Sequence, residues 1–472
     1  MVNKKCQVFT PDIYAEELLD SIDYTGKTIL GKLFLENSAG EGHILTLAVE
    51  RYLQSAFKEK LSSKHIKYGL EHDFLAFEID KEIVKKCIKN LDLITTKYGI
   101  NGVKWNIINQ NYLTYSKEIE ADYIAGNPPY ITYQEIDKNE RFFIRDEFES
   151  CSQGKFDYCY AFIEKSIKDL KNSNGKMAYF IPSSIFKNSF GKKLREMLLP
   201  NLIKISDYKH RRVFLPALIS PAVIVIDKSN SSFNFSYMDK DLKKEITIIK
   251  NHLKDKWIFS DHSPQEDVKE TFGDYFNVSN SVATLLNNVF VFKDSKKSVN
   301  IEQEILREAA SPRSKTYGKS EKIIFPYCYN ENNEIVRYTD QEFRKKFPLA
   351  TEYLLKNIEK LEQRKADGSW FEYGRSQALT KINQEKLLVS SVITGPIKVY
   401  KLSKKTIPYS GFFITKKSKY PLSLAREILN SNEFHDYIMM QAINASGKSV
   451  RISVNDIKSF GIDDYLRYEN EN

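Results

Sequence analysis

Over its first 228 residues the chain alternates short apolar runs with stretches of helical periodicity. That alternation commits the segment to an α/β architecture, a parallel sheet with helices on both faces. The expected strands are Lys32–Leu35, Phe74–Glu78, Val103–Ile108, Tyr123–Ala125, Lys176–Ile181 and Ala222–Ile226. The expected helices are Ile13–Ile22, Ile44–Leu61, Lys81–Asn90, Asp157–Leu170 and Lys192–Leu198. The polar run Ser229-Asn230-Ser231-Ser232 marks the expected boundary, with a first domain over residues 1–228 and a mixed α+β domain over 229–472. An open sheet of this kind binds ligands outside the carboxyl ends of its strands, so the segments that follow the strands are where chemistry is expected.

Three such segments stand out. After the first strand comes Glu36-Asn37-Ser38-Ala39-Gly40-Glu41-Gly42, an acid followed by a glycine turn that opens a helix. Glycines let a ligand approach the backbone, and the helix N-terminus favours an anionic group. The second strand ends in Glu78-Ile79-Asp80, an acid placed to hold a ribose diol. Glu78 lies 42 residues after Glu36, too far for a compact dinucleotide fingerprint of about 20 residues. The fourth strand runs into Asn127-Pro128-Pro129-Tyr130. Two prolines stiffen the turn, Asn127 adds a side-chain acceptor and Tyr130 a flat π face. An amino group on a planar ring would meet acceptors and a stacking surface there.

Charge points to a partner. The chain has 71 Lys and Arg against 62 Asp and Glu, a net charge of +9. Between Tyr373 and Arg426 there are eleven Lys or Arg and a single acid, Glu385, interleaved with Tyr400, Tyr409, Phe412, Phe413 and Tyr420. Basic residues laced with aromatics suit a nucleic-acid backbone. The five cysteines form no C-x-x-C pair and read as free thiols of a reducing compartment. No histidine pair has metal-site spacing, so no metal is expected. No apolar run spans a bilayer and the N-terminus lacks a signal-peptide core, so the expected location is the cytoplasm, with no membrane partner.

On these motifs, residues 8–228 resemble a gamma-class adenine-N6 DNA methyltransferase of a restriction–modification system. The resemblance implies a Rossmann-like sheet that binds S-adenosylmethionine. It implies that Thr10 of Phe9-Thr10-Pro11, with Glu36, Ser38, Ala39, Gly40 and Gly42, surrounds the methionine part of that cofactor. Glu78 would take the ribose, and Ile79 and Phe162 would pack on the cofactor adenine. Asn127, Pro128, Pro129 and Tyr130 would form the target-amine pocket, with Phe214 as a second surface against the flipped base. The family usually has Asp after the third strand; this chain has Asn111-Tyr112, whose amide oxygen can accept but carries no full charge.

The C-terminal segments Val282–Phe292 and Trp370–Gln377 are similar to parts of a TaqI-like recognition domain, which makes Arg375, Gln377 and Lys381 candidate DNA contacts. The expected activity is site-specific, adenine-specific DNA methylation. Double-stranded DNA is the expected substrate and a separately encoded cognate restriction endonuclease the expected partner, with the chain acting as a monomer. With the cofactor segment starting by Phe9, an N-terminal nuclease is not expected. Glutamine or RNA methylation, or a non-catalytic DNA-binding subunit, are the alternatives.

Overall fold

The computed structural model describes residues 10–209, 220–260, 268–293, 300–446 and 449–466. The chain divides into two units, Met1–Pro264 and Gln265–Asn472.

In the first unit the apolar runs become β1 (Phe34–Glu36), β2 (Phe74–Phe77), β3 (Ile107–Ile108), β4 (Tyr123–Gly126), β5 (Lys176–Pro182), β6 (Leu202–Asp207), β7 (Pro221–Asp227), β8 (Asn234–Asp239) and β9 (Lys244–Ile249). They form one sheet of order β3-β2-β1-β4-β5-β7-β6-β8-β9. From β3 to β5 all pairings are parallel, while β7 runs antiparallel between β5 and β6. The helices are α1 (Asp12–Ser21), α2 (His43–Lys58), α3 (Ser63–His72), α4 (Lys81–Lys97), α5 (Lys138–Glu147), α6 (Cys159–Asp169) and α7 (Lys192–Leu198).

Strand side chains alternate between two cores, as a period of two requires. Leu35, Phe77, Ile124 and Tyr179 face α5, α6 and α7, while Phe34, Ala76, Ala125 and Phe180 face α1, α2, α3 and α4. Both faces are covered, which is why the central strands read as unbroken apolar runs rather than as alternations. Strand order reverses between β1 and β4, so a crevice opens there at the carboxyl edge.

Two differences from the sequence reading have physical causes. The expected domain boundary at 228/229 falls inside the first unit, which extends to Pro264. Residues 229–232 form the turn between β7 and β8; the Ser229 N–H donates to Asp227 Oδ1 at 2.9 Å and the Ser232 N–H to Asn230 Oδ1 at 2.7 Å. Polar composition marks a tight turn as readily as a linker. Phe235, Tyr237, Ile248 and Trp257 then extend the same core. The expected third strand, Val103–Ile108, shrinks to its last two residues because it lies at the sheet edge, paired only with β2. Helices α3 and α5 and strands β6, β8 and β9 have no counterpart among the expected elements.

The second unit is α+β. One sheet joins Phe276–Asn280, Phe412–Lys416, Lys386–Val389 and Tyr400–Leu402 in that order; another joins Val291–Phe292, Glu321–Ile324, Leu306–Ala310 and Ile407–Pro408. The two segments singled out as similar to a recognition domain meet in its core. The Arg375 N–H donates to the Ala283 carbonyl at 3.1 Å, and the Arg364 guanidinium donates to the carbonyls of Thr284, Glu372 and Trp370. Phe371 stacks on Phe343 with centroids 4.0 Å apart. Among the described residues no helix is long and apolar enough to cross a membrane, and no group of three or more His, Cys, Asp or Glu is placed to hold a metal ion.

Candidate functional site

The segments that follow β1, β2, β3 and β4 are stitched together by hydrogen bonds at the reversal point. The Gly40 N–H donates to Glu78 Oε2 at 3.0 Å, and the Asp80 N–H to Glu78 Oε1 at 2.9 Å, so the acid after β2 holds the glycine turn after β1. Asn109 Nδ2 donates to the carbonyls of Glu78 and Ile79, both at 2.9 Å. Ser38 Oγ donates to the Asn127 carbonyl at 3.2 Å, tying the same turn to the Asn-Pro-Pro-Tyr segment. Ile79 is 54% exposed, an apolar side chain left facing outward beside these polar groups.

Glycine is required at two points of the turn. Gly40 has φ +55° and Gly42 φ +87°, in the left-handed region that costs a residue with a Cβ about 1–2 kcal/mol. A Cβ on Gly42 would also stand 2.7 Å from Cys87 Sγ. Gly42→Ala is therefore expected to destabilise the first unit by about 2–5 kcal/mol, the sum of backbone strain and overpacking against α4. Urea denaturation checks this; an unchanged midpoint would mean that the turn and α4 relax freely. The space around the Gly40 Cβ position is open, which leaves the backbone there accessible.

Glu36 is the unusual group. Its side chain is buried (2% exposed), one oxygen has no hydrogen-bond partner, and it accepts from the Leu45 backbone N–H in the first turn of α2. Burial pushes its carboxyl well above the usual range, the Leu45 N–H opposes this, and the neighbouring Glu78 charge adds to it. A cation placed against its unpartnered oxygen would favour the ionised form and oppose the effect of burial.

Asn127 is the second. Its Nδ2 donates to Thr10 Oγ1 at 3.2 Å, and its Oδ1 is buried with no partner. Pro128 is buried. Tyr130 packs against both cores of the first unit, and burial pushes its phenol well up, so it is neutral. Gly126 lets the segment pass over the ring of Tyr179, whose Cε1 lies 2.9 Å from where a Cβ would stand.

Not every expected residue joins this cluster. Phe214 and Phe9 lie outside the described residues. Tyr112 turns into the core: its hydroxyl donates to Asp169 Oδ2 at 2.7 Å, and its ring packs against Phe77 and Phe162. Phe162, 5% exposed, packs between Tyr112 and Tyr158, with its backbone accepting from Ser166. Asn111 has both ends engaged: Oδ1 accepts from the Leu113 N–H at 3.0 Å and Nδ2 donates to Tyr158 OH at 3.0 Å. The Tyr158 hydroxyl donates in turn to Glu140 Oε1 at 2.6 Å, so a carboxylate stands two hydrogen bonds from Asn111.

In the second unit Arg375 Nη1 is paired with Asp367 at 2.9 Å and donates to the carbonyls of Lys365 and Gly374, while the side chain stays partly exposed. Gln377 and Lys381 are exposed. The sequence reading passed over Asn37, whose Nδ2 donates to Ser166 Oγ at 2.8 Å while its buried Oδ1 has no partner. Its place between the strand-end acid and the glycine turn was the available signal.

The model of the Eco57I restriction-modification methylase family matches residues 28–214. The Type II restriction enzyme and methyltransferase RM.Eco57I of Escherichia coli is 25% identical over 542 aligned residues, covering 90% of this chain and 53% of that protein. The modification methylase CviBIII of Paramecium bursaria Chlorella virus NC1A is 25% identical over 238 residues, covering 50% of this chain and 54% of that one. Among solved structures, the Type IIL restriction-modification enzyme MmeI in complex with DNA is similar with TM-score 0.62 at 13% identity, covering 95% of this chain and 65% of that one. The chain thus spans about half the length of the two curated relatives, and the likeness to the solved structure concerns fold alone.

Proposed function

We propose that this protein, whose residues 28–214 match the model of the Eco57I restriction-modification methylase family, is a site-specific DNA methyltransferase that methylates N6 of an adenine flipped out of duplex DNA, with S-adenosylmethionine as donor. The observation that carries this reading is the stitched cluster at the reversal between β1 and β4. There, two buried and unpartnered oxygens, Glu36 Oε2 and Asn127 Oδ1, belong to segments joined by the Ser38 hydroxyl. One fits a cation, the other an amine.

These residues fit the proposed cofactor. Glu36 would face its ammonium, the Gly40–Gly42 turn and the N-terminus of α2 its carboxylate, Glu78 its ribose hydroxyls, and Ile79 a face of its adenine. S-adenosylmethionine supplies an electrophilic methyl group on a sulfonium sulfur, and displacement by N6 leaves a thioether and one proton for solvent. The protein's task is to make N6 nucleophilic. The lone pair of that nitrogen is delocalised into the ring. Asn127 Oδ1 and the Pro128 carbonyl would accept its two hydrogens and favour a tetrahedral nitrogen with the lone pair free for in-line attack. Tyr130 and Phe214 would stack on the base and offset part of the few kcal/mol that flipping costs. The second unit would read the sequence, and the partners are duplex DNA and a cognate restriction endonuclease.

Modification-sensitive sequencing of plasmid DNA from cells expressing the protein tests the reading, with Asn127→Ala beside it. N6-methyladenine at one recurrent motif, absent with the variant, is the expected result. Unmodified DNA from soluble protein that binds S-adenosylmethionine would refute it.

A further inference from the structure

The basic stretch from Tyr373 to Arg426 is not equally available to a partner. Arg375 is paired with Asp367, Lys401 lies 3.5 Å from Glu385, and Lys417 Nζ donates to the Gly273 carbonyl. Lys386 is wholly buried. Its Nζ donates to the carbonyls of Ser403 at 2.8 Å, Lys404 at 3.3 Å and Thr406 at 3.0 Å. An ammonium has three donors, and here all three are used on one loop. The loop backbone is therefore turned inward onto the lysine, while the side chains of Lys404 and Lys405 stand in solvent.

A second basic element, outside that stretch, is fixed beside the first. Strand Leu306–Ala310 pairs in parallel with Ile407–Pro408, the strand that the loop enters. The short helix Pro312–Thr316 follows it, with Arg313 and Lys315 exposed. This turn is held at both ends: Tyr409 OH donates to Ser311 Oγ at 3.2 Å, and Thr316 Oγ1 meets Tyr400 OH at 2.7 Å. The loop is tied to the same strand by Thr406 Oγ1, which donates to Glu308 Oε2 at 3.2 Å. Among the described residues Arg313, Lys315, Lys404 and Lys405 form no ion pair. The four cations project from two anchored backbones, so binding a polyanion through them orders side chains but costs little backbone entropy.

We propose that the turn Pro312–Thr316 and the loop Ser403–Thr406 clamp the phosphate backbone of duplex DNA. Arg313, Lys315, Lys404 and Lys405 are the phosphate contacts, and Lys386 is a positioning residue that sets the loop from beneath. The proposal rests on the reading of DNA as substrate and names where the second unit grips it.

The test is anisotropy titration of a labelled DNA duplex with the full chain over a series of salt concentrations. Replacing all four contacts (Arg313→Ala, Lys315→Ala, Lys404→Ala, Lys405→Ala) is expected to lower the slope of log affinity against log salt by about 0.9 per contact, ~3–4 in all, and to weaken binding roughly tenfold or more. Lys89→Ala with Lys97→Ala, exposed on α4, should leave the slope unchanged. Lys386→Met, which removes no surface charge, should lower the slope by about 1–2 through the displaced loop; a merely structural lysine would change the amount of folded protein and not the slope. An unchanged slope in the fourfold variant of a wild type that binds duplex would overturn the clamp and leave the methyltransferase reading standing. An equal fall per charge removed in the α4 control would overturn it as an effect of net charge. A wild type that binds no duplex would remove the substrate reading and the clamp together.

Discussion

Asn127→Ala is expected to lower the turnover number for DNA methylation by about 10²–10³-fold while leaving the affinity for S-adenosylmethionine within a few-fold of wild type. The magnitude is that of removing one pre-organised group aimed at developing charge. The split between turnover and binding follows from geometry. Asn127 Oδ1 is buried and unpartnered, so it is already desolvated and needs no reorganisation when an amine arrives. Its orientation is set by the bond from Nδ2 to Thr10 Oγ1, and its backbone carbonyl is held by Ser38. Truncation at Cβ removes the acceptor and leaves the turn, because Pro128 and Pro129 fix the chain without help from the asparagine side chain. Asn127→Asp makes a sharper comparison: the acceptor stays, but the bond to Thr10 is changed and a buried charge is added, so activity should fall less than in the alanine variant at neutral pH. Single-turnover kinetics with a cognate duplex and isothermal titration of the cofactor measure the two terms separately. Full turnover in the alanine variant, with cofactor binding intact, would refute the assignment.

The parts of this site that were legible in the sequence are those whose chemistry is contiguous. Glu36 and the glycines of the turn lie within seven residues, Glu78 ends a strand, and Asn127 to Tyr130 are adjacent. A strand end, a glycine turn and a proline turn each announce themselves locally. What escaped depends on residues far apart. The engagement of Asn111 by Tyr158 spans 47 positions, and no local pattern reveals that Glu140 completes it. The pairing of Arg375 with Asp367 joins residues eight positions apart, and no local pattern announces it. Strands β8 and β9 were missed because one face of β9 is open to solvent, so its pattern is weak, and the polar run before them resembled a linker. Strand β7 was recognised as a strand, yet its place between β5 and β6 is a matter of pairing that apolar composition does not encode.

Glu36→Gln is expected to move stability and binding in opposite directions. The free protein at neutral pH should become more stable, while cofactor affinity should fall by about 10²–10⁴-fold, the equivalent of the 3–5 kcal/mol lost when one partner of a buried ion pair is removed. The stability term follows from the raised carboxyl. In the fold Glu36 holds its proton above the ordinary carboxylate range, chiefly because it is buried. Between the unfolded and the folded pKa the native state binds more protons than the unfolded one, so its stability declines as pH rises through that window. A glutamine has no proton to lose, and the variant's stability should be flat where the wild type's falls. The binding term has the opposite dependence. A cationic ammonium pairs with the ionised carboxylate, so wild-type affinity should rise with pH through the same window, and the variant should lose that rise along with its affinity. Thermal unfolding across pH, with and without S-adenosylmethionine, reads both. The expected result is a melting curve that is higher for the variant without cofactor and lower with it, crossing the wild type as cofactor is added. A variant that binds as tightly as wild type at every pH would mean that the buried oxygen of Glu36 faces no cation, and the cofactor would then have to be held in the other direction across the turn.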